Sequence, residues 1–143
     1  MSDLDVNKLL NALENETNAS IMKLNTSKIK SYKNTILQQL QLDRDTLKSF
    51  HKKLKHYRYC DDFSDLQYGY YIRWISLKDP DNLKLTNGGF IIDLKIIDNN
   101  GIHIVCKNNM GFCMQLKFDE CVIFQKLSNQ ENVILSVLDY LDK

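Results

Sequence analysis

Four cysteines and three histidines are the residues of this chain with the widest chemical reach, and their spacing limits what they can do. Structural zinc is held by ligand pairs a few residues apart, because one tight turn must aim both ligands at one ion. Here Cys106 and Cys113 are seven apart, Cys121 lies eight further on, and Cys60 is remote. His103 alternates onto the opposite strand face from Cys106, which falls among isoleucines. Small buried hydrophobes are therefore the simpler account of the cysteines, and no metal or other cofactor is expected. His103 and Cys113 could approach across a hairpin as base and nucleophile. Neither is surrounded by anything resembling a nucleophile elbow or an oxyanion-hole glycine, and an exposed strand histidine is the plainer reading. Gly88-Gly89 opens a strand rather than a helix, so it lacks the aligned amides that cradle phosphate; a bend or close backbone approach accounts for it. Asp93, Asp98, Asp119 and Glu120 share no motif. No enzyme class emerges, and the expected activity is binding.

The stretch with the clearest binding chemistry is basic. Residues 28–58 carry nine Lys/Arg against two Asp, a net of +7 inside a chain whose formal net charge is only +1. On a helix, Lys48, Lys52, Lys55 and Tyr59 line one side, with Lys53 and Arg58 close by. Lysines displace counterions from phosphates and aromatic rings stack on unpaired bases, so Lys48, Lys52, Lys53, Lys55, Arg58 and Tyr59 form a candidate nucleic-acid or anion surface. Lysines that merely solvate the outside of a packed helix, or that dock on an acidic protein, are the competing accounts.

Residues 1–58 contain no glycine and no proline, and their apolar spacing is helical. Asp3 or Asp5 can cap a first helix with Leu9, Leu10 and Leu13 on one face, and Asn25-Thr26-Ser27 suits a break and a second N-cap. Ile29, Tyr32, Ile36, Leu40, Leu47, Phe50, Leu54 and Tyr57 then make a stripe interrupted at Asp43. A helix that long wants a partner: the first helix, the domain downstream, or a second copy of the chain in a coiled coil. Self-association or docking through this arm is the leading expectation for function.

Beyond the acidic turn at Cys60–Asp65 the period becomes two. Strands are expected over Tyr68–Leu77, Phe90–Ile97, Ile102–Lys107, Phe112–Phe118 and Cys121–Leu127, with turns at Lys78–Asn82, Asp98–Gly101 and Asn108–Gly111. Tyr70, Ile72 and Trp74 read as core, which leaves Tyr71 and Arg73 on the outward strand face. Ser128 and Glu131 form a capping box that starts a last helix bearing Val133, Ile134, Val137, Leu138 and Leu141 on one face. The fold class is therefore α+β: long N-terminal amphipathic helices over 1–58, then a domain over 59–143. That domain comprises a five-stranded antiparallel bent sheet or SH3-like barrel and a C-terminal helix. An open sheet with the helix on one face is the alternative.

The runs Tyr68-Gly69-Tyr70-Tyr71-Ile72-Arg73-Trp74-Ile75, Leu85-Thr86-Asn87-Gly88-Gly89-Phe90-Ile91-Ile92 and Val122-Ile123-Phe124-Gln125-Lys126-Leu127 resemble a pattern of small β domains encoded by large nucleocytoplasmic DNA viruses. The resemblance covers roughly residues 66–127 and brings no catalytic residues with it. It implies a viral protein acting in the host cytoplasm or packaged in the virion. Independently, Met1 leads into Ser2-Asp3-Leu4-Asp5 with no basic or apolar leader, and no apolar run approaches the length of a membrane span. An intracellular, cytoplasmic protein with reduced thiols is expected. Its partner would be a protein or a second copy, with nucleic acid as the alternative.

Overall fold

A computed structural model describes residues 6–97, 99 and 101–141, apart from the side chain of Thr17. The caps expected at Asp3 or Asp5, and Asp98 and Asn100 of the expected hairpin turn, lie outside the described residues. No helix among the described residues is long and apolar enough to cross a membrane. The chain is α+β and divides into two compact units: residues 1–41 with 127–143, and residues 42–126.

The first unit is helical. It holds α1 (Val6–Glu14), a 3-10 helix over Glu16–Lys23, α2 (Thr26–Gln39) and α4 (Asn129–Leu141). Its core gathers Ala12, Ile21, Ile29, Ile134 and Leu135, with Leu24, Leu127 and Leu138 against it. Polar side chains pin the pieces. The Asn18 amide donates to the Ala12 carbonyl (2.8 Å) and to Gln130 Oε1 (3.1 Å), and Asn15 donates to the same oxygen (2.8 Å). The expected capping box is present at α4: Ser128 N–H donates to Glu131 Oε1 (2.9 Å) and Glu131 N–H to Ser128 Oγ (3.1 Å). The buried face of α4 is Glu131, Ile134 and Leu135, however, and Leu141 is exposed. Asn25 caps α2 as its sequence suggests, accepting from Lys28 N–H at 2.7 Å. Asp139 adds a carboxylate there, accepting from the Thr26 N–H (2.9 Å) and hydroxyl, where the positive end of the helix dipole favours an anion.

The helix expected to run through residues 28–58 is broken. Gln41 takes φ 54°, a left-handed conformation that ends α2, and Asp43 caps a new helix, α3 (Arg44–Lys53). On α2 the buried line is Ile29, Lys33 and Leu37, one residue round the helix from the expected Tyr32, Ile36 and Leu40. Lys33, 5% exposed, has its pKa lowered, chiefly by burial and then by Lys30. Below its folded pKa the ammonium is held at a cost, and as pH rises from there towards 10.5 the folded state sheds the proton before the unfolded chain does. Wild-type stability therefore climbs with pH in that window. Lys33→Met should be more stable than wild type by about 1 kcal/mol at neutral pH. Urea melts should show that advantage shrinking as pH rises towards 10.5; a constant or growing advantage would contradict this account.

The second unit holds α3 and an open, six-stranded antiparallel sheet in the order β1-β6-β2-β3-β4-β5. The strands are β1 (Tyr57–Tyr59), β2 (Tyr71–Ser76), β3 (Gly89–Ile97), β4 (Gly101–Lys107), β5 (Cys113–Lys117) and β6 (Cys121–Lys126). All five expected strands are present, and β1 is additional. The barrel does not close: β1 and β5 are opposite edges, and β1 is only three residues long. The expected boundary at 58/59 falls inside β1, and the C-terminal helix belongs to the helical unit. One sheet face, with Ile72, Trp74, Ile91, Ile104, Cys106, Leu116 and Ile123, packs under Cys60 and Leu66. A β-bulge between Ile91 and Asp93 shifts the β3–β4 register.

Candidate functional site

The basic cluster grows out of how α3 begins and ends. Asp43 accepts from Thr46 N–H (3.5 Å), and hydrogen bonding to Thr46, first from its side chain and then from its backbone, holds the Asp43 carboxyl below the usual range. Asp45 sits in the first turn and His51, Lys52 and Lys53 in the last, the charge order a helix dipole favours. Phe50 and Leu54 are buried and anchor the helix, and the Leu54 N–H closes its last turn on the Phe50 carbonyl at 2.9 Å. Lys48, Lys52, Lys53, Lys55 and His56 are all exposed, and no acidic residue occurs between Asp45 and Asp61.

Two of the six residues expected on this surface are elsewhere. Arg58 and Tyr59 belong to β1, which pairs with β6 (Arg58 with Gln125, Tyr59 with Phe124). Arg58 is 3% exposed and donates to the Asp65 carbonyl (3.4 Å). Tyr59 is half-buried, tilted against Phe124 with ring centroids 5.9 Å apart, and burial pushes its hydroxyl pKa up. Lys55 follows the end of α3, so the expected helical line through Lys48, Lys52, Lys55 and Tyr59 does not form; Lys48 sits midway along α3 and Lys52 and Lys53 in its last turn.

The apolar stripe likewise offers no continuous exposed seam. Ile29 lies in the core of the helical unit. Phe50, Leu54 and Tyr57 are buried, while Ile36, Leu40 and Leu47 are half-buried and Tyr32 is exposed. The exposed apolar line is instead Val6, Leu10 and Leu13 on α1.

Tyr71 and Arg73 do share the outward face of β2, half-buried and tied to the incoming chain. The Tyr71 hydroxyl donates to the Asn87 carbonyl (2.6 Å), and Arg73 Nε donates to the Thr86 carbonyl (2.8 Å). Phe90 meets Tyr71 edge-on, with centroids 4.9 Å apart at 85°.

Nucleophilic chemistry gains nothing from the geometry. His103 pairs with Lys117 and Cys113 with Lys107, so four residues of β4, about 13 Å, separate the two rows. His103 Nδ1 instead bonds Gln115 Nε2 at 3.0 Å. Burial pushes the Cys106 thiol up to about 12. Cys121 rises to about 11, through burial first and then the nearby Glu120 carboxylate. Both thiols are protonated near neutrality and are poor nucleophiles. Among the described residues, no three of His, Cys, Asp and Glu come together as a metal site.

The sequence does not reveal a cleft of about 460 Å³ lined by Trp74, Ser76, His103, Gln115, Leu116 and Cys121. Lys78 and Glu120, also in its lining, pair at 3.1 Å. The exposed face of β3–β5 escapes the sequence too, because it depends on register rather than on any local motif. Comparison of the chain with family models, with curated proteins and with solved structures finds no match.

Proposed function

We propose that this chain is a non-enzymatic binding module whose partner is a nucleic acid, held through its phosphates by Lys48, Lys52, Lys53 and Lys55. The observation that supports this is the exposure of all four ammonium-bearing side chains, Lys48 midway along α3, Lys52 and Lys53 in its last turn and Lys55 just beyond it, in a stretch with no acidic residue between Asp45 and Asp61. Exposed cations close together in the chain release counterions when they meet a polyanion, and that release drives the binding.

The test is fluorescence anisotropy of labelled duplex and single-stranded DNA, comparing wild type with a variant carrying Lys48→Gln, Lys52→Gln, Lys53→Gln and Lys55→Gln together. Four phosphate contacts give a wild-type affinity for duplex that falls about 100-fold between roughly 50 and 200 mM salt. The variant should bind weakly at both concentrations and lose nearly all of that salt dependence. A variant with the wild-type affinity and slope would remove the proposal.

A further inference from the structure

A second surface in the sheet unit shares no residue with the α3 lysines. Cross-strand register puts three rows on one face of β3, β4 and β5: Phe90–Lys107–Cys113, Asp93–Val105–Gln115 and Lys95–His103–Lys117. The alternating residues Ile91, Leu94, Ile104, Cys106, Met114 and Leu116 turn to the core on the other face. Phe90 is 44% exposed although it is large and apolar. Its ring packs perpendicular to that of Tyr71, itself tied to Asn87, so the exposed part of the ring has little orientational freedom left to lose.

Charge on this face favours an anion. Lys95 and Lys107 are exposed, Lys117 and His103 are half-buried, and Arg73 lies on the same side in β2. Against them stand Asp93, Asp119 and Glu120, the last lining a cleft with His103 and Lys117 and paired with Lys78 at 3.1 Å. Asp93 is 3.9 Å from the Lys95 ammonium and also accepts from Leu94 N–H; Asp119 comes close to Gly101 beside the Lys117 stem. Lys107 flanks the Phe90 ring in register, and the Lys95–His103–Lys117 row lies about 13 Å further along the strands, a span suited to the backbone of a short extended oligonucleotide.

We infer that this sheet face binds single-stranded nucleic acid, with Phe90 stacking on a base, Lys107 holding a phosphate beside it, and Lys95 and Lys117 holding phosphates about 13 Å further along the strand. A duplex keeps its bases stacked on one another and has none to offer the ring, so this surface selects single strands. The inference does not depend on the α3 cluster.

The test uses the full chain with labelled oligo-dT and a duplex of matched length at about 50 mM salt. Phe90→Leu should weaken oligo-dT binding about 10-fold and leave duplex binding unchanged, while Phe90→Tyr, which keeps the ring, should bind like wild type. Lys95→Gln, Lys107→Gln and Lys117→Gln together should lower the log–log salt slope for oligo-dT by roughly two. Thermal melts of each variant show that the fold is intact, and the Lys95, Lys107 and Lys117 triple variant carries the comparison should Phe90→Leu melt early. If all the sheet variants bind oligo-dT like wild type while the α3 variant loses it, this inference falls and the α3 proposal stands. If the sheet variants lose oligo-dT and the α3 variant keeps duplex and single strand alike, the α3 proposal falls and this one stands. Wild type that binds neither probe overturns both.

Discussion

Gly88→Ala should cost about 4 kcal/mol or more, enough to abolish cooperative folding in a domain of ordinary stability. Two independent effects meet at this position. Gly88 has φ +87°, where a side chain strains the backbone by roughly 1–2 kcal/mol. In addition, a Cβ there would lie 2.0 Å from the Ile72 carbonyl oxygen and 3.0 Å from its carbon. Both are backbone atoms of β2, so relief requires β2 and the start of β3 to move apart. That movement breaks the short pairing of Tyr71 with Phe90 and Ile72 with Gly89, through which β3 joins β2. Gly69 provides the control. Its φ is +82°, but nothing lies within 4 Å of its would-be Cβ, so Gly69→Ala should cost only the strain, about 1 kcal/mol. Urea melts followed by the fluorescence of Trp74, the single tryptophan, measure both. Equal destabilisation by the two substitutions would show that contact with Ile72 is not what demands glycine.

What was readable in advance follows from how local each signal is. The capping box is one: its two hydrogen bonds join residues three apart, so Ser128 and Glu131 announce it. Alternation over five to nine residues announces β2 through β6 in the same way, and the paired glycines announce a close backbone approach. Strand β1 has too few residues for alternation to show, and its partner lies more than sixty residues away; helical spacing claims Tyr57 and Tyr59 instead. The break between α2 and α3 contains no glycine or proline. Gln41 in a left-handed conformation does that work, and only the Asp43 cap betrays it. Lys33 is invisible for another reason. Apolar spacing cannot rank a lysine as core, so the buried face of α2 is misjudged by one position. The sheet surface with Phe90, Lys95, Lys107 and Lys117 needs the bulge at residues 91–93 and the hairpin pairing of Ile97 with Gly101 before its rows align. A slip of one residue would scatter those side chains over both faces.

Gln125 shows the same limit with the largest consequence in the polar interior. Alternation marks it as a polar residue between Phe124 and Lys126, yet it is 1% exposed and pairs across the sheet with Arg58 on one side and Ile72 on the other. Its Oε1 accepts from Gln67 N–H (3.0 Å) and its Nε2 donates to the Asp65 carbonyl (3.1 Å), which also receives Arg58 Nη2. One side chain thereby fixes two backbone groups of the connector between β1 and β2, beside Leu66, which roofs the core. Gln125→Leu keeps the volume and removes both bonds. The stranded Gln67 N–H and the weakened Asp65 carbonyl should cost about 2–3 kcal/mol. Hydrogen exchange adds a local readout, because the Gln67 amide should lose protection well beyond the global change. A neutral Gln125→Leu would mean that the connector is held by packing and not by this glutamine.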